Sequence, residues 1–275
     1  MGQMRLEETM EVTARHAEGR LLAGRMGDVG VMLFNQPDKH NAISVEMWQG
    51  VAATLDAFAA DTSIRVVLYA GAGGKAFVSG GDISQFAERR GDAAANEEFS
   101  RITGVGRTRL AAFAKPSIAC IEGYCLGGGL AIALEADLRV AGPTAQLGVP
   151  AARLGIAYGM HQIGRLVGLV GPSRARLVLY TGRRFSAAQA LEMGLVDQVV
   201  ADPVAESLAL AREIAANAPL SVAASKFTIA QLLKDAPERD LTGVAEFTRR
   251  CMDSADYREG RTAFMEKRKP VFTGT

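Results

Sequence analysis

Cysteine is scarce in this chain, and its arrangement excludes a cross-linked framework. Cys120, Cys125 and Cys251 are the only three among 275 residues. An odd number with no CxxC pair argues against a disulfide scaffold or a zinc ribbon and fits a reduced, cytoplasmic setting. Histidine is equally rare. His16, His40 and His161 are too widely spaced for a paired metal-ligand motif, so no metal is expected. An excess of charge of either sign is also missing: 31 basic against 30 acidic side chains leave a formal net charge of +1. That balance makes no electrostatic case for a nucleic-acid partner. An RNA-binding reading has only the arginines between Arg165 and Arg184 behind it. No apolar run approaches the roughly 18 to 20 residues that span a bilayer, so no membrane partner is expected. The first residues carry Glu7, Glu8, Glu11 and Glu18 and no apolar core, unlike a secretory or transit signal. Residues 1–19 are therefore expected to be a poorly ordered leader.

What the chain has is hydrophobic material, 48% of its residues spread along its length, enough for a core in a single compact unit. Two apolar runs, Arg20 to Arg25 and Val29 to Asn35, flank Gly27-Asp28 as in a hairpin. Val45, Trp48, Val51, Leu55 and Phe58 recur at helical spacing behind Ser44, a fitting cap. A β-branched run from Arg65 to Tyr69 ends in the glycines at 71, 73 and 74. A helical pattern over Phe99 to Phe113, an apolar strand over Ser117 to Glu122, a helix opened by Gly127-Gly128-Gly129 and a strand at Leu138 to Ala141 follow. This alternation up to residue 202 predicts an α/β core over 20–202. From Pro203 to the end the pattern is helical and reads as a 203–275 appendage for packing on the body or on other subunits.

The glycine-rich turns do not match phosphate-loop or dinucleotide spacings. Taken singly, they read as ordinary turn residues. Gly80-Gly81-Asp82 and Gly127-Gly128-Gly129, however, each lie between an apolar strand and a helix. If the two turns converge, their backbone N–H groups form a pair of donors for a thioester oxygen that becomes an enolate.

The motifs around these turns resemble those of the crotonase (enoyl-CoA hydratase/isomerase) superfamily. The segment from Lys75 to Ile83 (KAFVSGGDI) is similar to the stretch around the family's first oxyanion donor, and Gly123 to Gly129 (GYCLGGG) to its second. Asn35 to Ala42, Thr181 to Ala187, Gly194-Leu195-Val196 and the tail from Asp256 to Phe272 follow in the family's order. The resemblance implies a crotonase-like spiral of ββα units with a C-terminal helical oligomerisation region, assembled as a homotrimer or homohexamer. It implies an acyl-CoA substrate, with coenzyme A as part of the thioester and no separately bound cofactor. The backbone amides of Gly81 and Gly128 would hold the thioester oxygen, although the family usually has alanine where Gly81 stands. Lys39, His40, Ala42, Asp82 and Ile83 would lie along the CoA arm, with Lys75 near its phosphates. Phe264 and Lys267 would complete an adenine pocket, of the same or a neighbouring subunit.

The sequence departs from the family's pattern where hydratases carry two glutamates. Those positions read Ala131 and Ala151, and an alanine methyl cannot hold or polarise water. General acid–base catalysis is worth roughly 10²–10⁴-fold, so standard hydration is not expected. Tyr158 stands where proline is common in the family and resembles the tyrosine of methylmalonyl-CoA decarboxylase. It is a candidate for placing a carboxylate or supplying a proton, and its bland alternative is packing. His161 is the second candidate, against a plain polar helix start. Glu135 lies one turn beyond Ala131, where it could reach the site as a displaced carboxylate, and is read first as a partner of Arg139 at i+4. The expectation is a lyase or isomerase of acyl-CoA thioesters, as in fatty acid metabolism. Decarboxylation, specialised hydration or isomerisation, and hydrolysis all remain open, and a non-catalytic acyl-CoA-binding member is the alternative.

Overall fold

The computed structural model describes residues 4–82 and 93–275, with only the backbone over 93–100. Ile83 falls outside the described residues. The chain enters through one helical turn, α1 (Leu6–Thr9), and strand β1 (Glu11–His16). This part of the leader expected to be disordered is in fact built into the fold. Along β1, exposed Glu11, Thr13 and Arg15 alternate with half-buried Val12, Ala14 and His16, the period-2 pattern of a strand with one wet face. β1 pairs antiparallel with β2 (Leu21–Met26), and Leu6 and Met10 are buried beneath it.

β2 turns at Gly27 into β3 (Val29–Phe34), forming the expected hairpin. Helix α2 (Val45–Ala60) follows, and its Ser44 cap accepts a hydrogen bond from the Met47 amide at 3.3 Å. Then the chain repeats one plan three times. β4 (Val66–Gly71) and β5 (Ala76–Val78) precede α3 (Ala93–Ala111); β6 (Ser117–Ile121) and β7 (Tyr124–Leu126) precede α4 (Gly128–Glu135). β8 (Leu138–Ala141) and β9 (Gln146–Gly148) precede α5 (Met160–Thr181). In each repeat the first strand joins one sheet and the second strand joins another. β10 (Phe185–Ser186), α6 (Ala187–Met193) and β11 (Gln198–Val199) complete the core. The large sheet has the order β1-β2-β3-β4-β6-β8-β11, and the small one β10-β9-β7-β5. The result is a spiral of ββα units.

Both faces of the large sheet are covered, which is why its parallel strands are apolar almost throughout. Val31, Leu33, Val66, Leu68 and Cys120 pack against Val204, Leu208 and Ala211 of α7 (Pro203–Ala215). Met32, Phe34, Val67 and Tyr69 face the small sheet, through Phe77, Val78 and Cys125. Burial pushes both core thiols up, Cys120 to about 12, so they serve as small apolar residues.

Three further helices, α8 (Pro219–Leu232), α9 (Leu241–Asp253) and α10 (Ala255–Glu266), form the C-terminal region. Its end is tied down: the amides of Thr273 and Gly274 donate to the buried Asp256 carboxylate, and Arg65 donates to the Phe272 carbonyl. Among the described residues no helix is long and apolar enough to cross a membrane.

Candidate active site

Three parallel strands of the small sheet position the site. β5 pairs with β7, Ala76 opposite Tyr124 and Val78 opposite Cys125, and β7 pairs with β9. Neighbouring strands that run the same way deliver their following loops to one edge, where α/β sheets bind ligands. Here those loops are Ser79 to Asp82, Gly127-Gly128 and Pro150-Ala151, and all three line one cavity of about 560 Å³.

The glycines are required by the backbone. Gly80 has φ +126° and Gly127 φ +54°, values that a side chain disfavours. A Cβ on Gly129 would collide with the Val78 carbonyl oxygen, so the first turn of α4 lies directly on β5. Gly129→Ala is accordingly expected to lift α4 from β5. It should cost about 1–3 kcal/mol of stability, as overpacking does, read as a lower urea midpoint together with lost activity.

The two turns converge, as the sequence alone could not establish. A Cβ built on Gly128 would lie 3.7 Å from the Gly81 nitrogen. The bridge from Ile43 to this loop uses the Gly80 carbonyl (2.8 Å) and the Asp82 amide (3.0 Å), and does not consume the Gly81 N–H. Among the described residues neither the Gly81 nor the Gly128 amide has an acceptor. Gly128 is also the first residue of α4, where N–H groups are unpaired and the helix dipole is positive.

Tyr158 reaches the same place. Its hydroxyl lies 3.5 Å from where a Cβ on Gly127 would be. Burial raises its pKa above the usual tyrosine value, against a smaller downward pull from the Arg107 cation. The group is thus a neutral O–H donor at physiological pH.

Ala131 and Ala151 both line the cavity, and so does Glu135, one turn beyond Ala131 on the same face of α4. Glu135 does not pair with Arg139. The helix ends at Glu135 and Arg139 already belongs to β8, so the i+4 geometry does not exist. Arg139 turns instead to Asp197 at 2.9 Å. The Glu135 carboxylate meets His161 Nε2 at 2.7 Å and Arg165 Nε at 3.4 Å. Its side chain is only 9% exposed, against 54% for His161. A buried carboxylate behind a more open imidazole is an acid–base pair in arrangement.

The remaining residues expected at the site are more dispersed. Lys39 Nζ pairs with the buried Asp82 carboxylate at 3.1 Å, and Asp82 lines the cavity. Exposed His40 lies edge-on to the Tyr124 ring at 5.6 Å, and Ala42 is buried beside them. Lys75 is exposed at the start of β5, the end away from Gly80. Phe264 lies on α10, 83% exposed, at a separate cavity of about 530 Å³ with Tyr257 and Phe272. Lys267 caps that helix in a left-handed conformation. Arg107, which lines the main cavity, was not anticipated, since helical spacing over 99–113 does not say which residue of the helix meets a void. Among the described residues no cluster of His, Cys, Asp and Glu could hold a metal.

A ββα spiral with this cavity at the ends of its inner strands is the architecture of the crotonase superfamily. The profile of the enoyl-CoA hydratase/isomerase family matches residues 24–275, and the chain belongs to that family. It is 33% identical over 245 residues to the short-chain-enoyl-CoA hydratase of Clostridium acetobutylicum, covering 88% of this chain and 93% of that protein. It is 34% identical over 256 residues to the 2,3-dehydroadipyl-CoA hydratase of Escherichia coli, covering 92% and 98%. The crystal structure of an enoyl-CoA hydratase/carnithine racemase from Magnetospirillum magneticum superposes with a TM-score of 0.90 at 33% identity, over 96% of this chain and 99% of that one. Membership places the chain among lyases and isomerases of acyl-CoA thioesters.

Proposed function

We propose that this protein binds an acyl-CoA thioester with its carbonyl oxygen between the amides of Gly81 and Gly128, and catalyses proton transfer through the resulting enolate. The observation that carries the reading is the convergence of two acceptor-free amides in the cavity that also holds the Glu135–His161 pair. Donors aimed at an oxygen that gains charge stabilise the enolate more than the ground state. His161, held by Glu135, moves the proton, and the neutral Tyr158 hydroxyl donates a hydrogen bond beside the hole. Hydration through two glutamates flanking one water is not the mechanism, because methyl groups of Ala131 and Ala151 stand in their place. Lys39 with Asp82, His40 and Ala42 would lie along the CoA arm, with Lys75 near its phosphates. Phe264 and Lys267 would serve the adenine end, within a homotrimer or homohexamer.

Tyr158 favours decarboxylation as a second reading. Loss of CO₂ from a malonyl-type thioester breaks the Cα–carboxyl bond and leaves its electron pair as the enolate. That step needs no strong base, only a weak acid such as a phenol to return a proton.

One experiment tests the shared core. Crotonyl-CoA, butyryl-CoA, malonyl-CoA and methylmalonyl-CoA are incubated with the protein in D₂O and followed by mass spectrometry. Deuterium entering the α-position is expected, and Tyr158→Phe should slow it by about tenfold or more, the scale of a lost acid–base partner. CO₂ loss from the malonyl thioesters would select the second reading. Tight binding with neither exchange nor CO₂ loss would reject the enolate mechanism and leave an acyl-CoA-binding protein without catalysis.

A further inference from the structure

Arg107 sits in the cavity with its charge unanswered among the described residues. The other charged lining groups have partners: Asp82 has Lys39, and Glu135 has Arg165 and His161. Arg107 has none of opposite charge among the described residues. Its guanidinium lies over the ring of buried Trp48, 5.3 Å from the centroid. A cation–π contact offsets part of the desolvation of an arginine but leaves its N–H fork free. Burial lowers the pKa of Arg107, which records the same imbalance. An arginine stays protonated in any case.

The placement is built into the packing of α3. A Cβ on Gly106 would lie 2.6 Å from the Trp48 carbonyl oxygen and 2.9 Å from a ring carbon of Trp48. Glycine at 106 therefore lets α3 close onto α2 at that point, and the next residue, Arg107, enters the cavity that Trp48 also lines. Tyr158 links this wall to the glycine turns. Its hydroxyl lies beside Gly127, and its ionisation responds to the Arg107 charge.

A plain alkyl chain does not suit such a wall. Filling the cavity with methylenes would strip water from the guanidinium and offer no acceptor, a costly burial of an unpaired charge. A carboxylate would answer it with two parallel charge-assisted hydrogen bonds. We propose that the acyl group on which this protein acts carries a carboxylate at the end away from the thioester, and that Arg107 reads it. The substrate class is the CoA monothioester of a dicarboxylic acid. A carboxylate held by a guanidinium is stabilised as the anion relative to CO₂, so here it is a handle retained in the product. The proposal rests on the acyl-CoA reading above and specifies its substrate.

The test compares glutaryl-CoA with valeryl-CoA by isothermal titration. Their acyl chains have equal carbon number and differ in the terminal carboxylate. The wild type should bind glutaryl-CoA about tenfold or more tightly, the effect of hydrogen bonds to a charged group. Arg107→Gln should abolish that preference and bind valeryl-CoA at least as tightly as the wild type, because no charge is then desolvated by the alkyl chain; that binding also shows that the variant is folded. Arg107→Lys should retain part of it. Equal binding of both thioesters by the wild type would overturn the proposal and leave the acyl-CoA reading standing. Equal weakening of both in Arg107→Gln would assign Arg107 to the CoA phosphates and overturn it too. Binding of neither thioester would overturn the acyl-CoA reading itself, and this proposal with it.

Discussion

Replacing Gly128 by proline is expected to lower kcat by about 10²–10³-fold, the effect of losing one donor of an oxyanion hole, without unfolding the protein. Gly128 is the first residue of α4, a position where proline is well tolerated because its missing N–H makes no helical hydrogen bond. Its backbone lies outside the positive-φ region, and an added Cβ would meet nothing closer than 3.7 Å. The substitution therefore removes the N–H and puts the proline Cδ in its place, so a bound thioester oxygen would lose one donor and meet a methylene there. Circular dichroism should be unchanged, and the affinity for free coenzyme A, which has no thioester oxygen, should be retained. Turnover equal to wild type would remove the Gly128 amide from the mechanism.

Glu135→Gln and His161→Ala are each expected to reduce turnover by about 10²–10⁴-fold, the range for general acid–base catalysis. Glutamine keeps the shape and an acceptor oxygen but no longer stabilises a protonated imidazole. Arg165 would not be stranded by the change, since it also donates to the Leu134 carbonyl at 2.9 Å and 3.2 Å. Stability should fall modestly while turnover falls steeply. The double variant should lose little more than either single one, because members of a catalytic unit are non-additive. If Glu135→Gln lowers the melting temperature and leaves kcat intact, the carboxylate is a structural partner of Arg165, and His161 acts without it.

These two experiments address different halves of the site. In the proposed mechanism Gly128 would hold the charge that forms on oxygen, whereas Glu135 and His161 would handle the proton. In the proposed mechanism a carboxylate displaced one helical turn and working through an imidazole would take the place of two carboxylates on either side of a water. Ala131 leaves room along that face of α4. His161, in the first turn of α5, comes within 2.7 Å of Glu135 across it.

Much of the molecule is legible in the residues alone because it depends on local rules. The hairpin at Gly27, the Ser44 cap, the glycine-opened helix at 128 and the strand at 138–141 follow from turn chemistry, capping and periodicity over a few residues. The two glycine turns stood out only as a pair, each between a strand and a helix, and the resemblance singled out Gly81 and Gly128 as candidates. The ordered string of short motifs carried the family. What misled was also local: acidic residues disguised β1, whose partner strand supplies the burial that makes it ordered. An i+4 rule paired Glu135 with Arg139 although the strand read at 138–141 already set Arg139 beyond the helix.

The chemistry of the cavity depends on contacts between residues far apart in the chain. Gly81 meets Gly128 because β5 and β7 run parallel side by side, with one shift of register between Ala76 and Val78. Glu135 meets His161 because α4 and α5 bracket the same void, and Arg107 faces it because Gly106 lets α3 press against Trp48. Spacing along a chain carries side-chain identity and local conformation. It does not carry the direction in which a helix face points once sheets and helices pack, and that direction is what makes an ordinary arginine and an ordinary glutamate parts of one site.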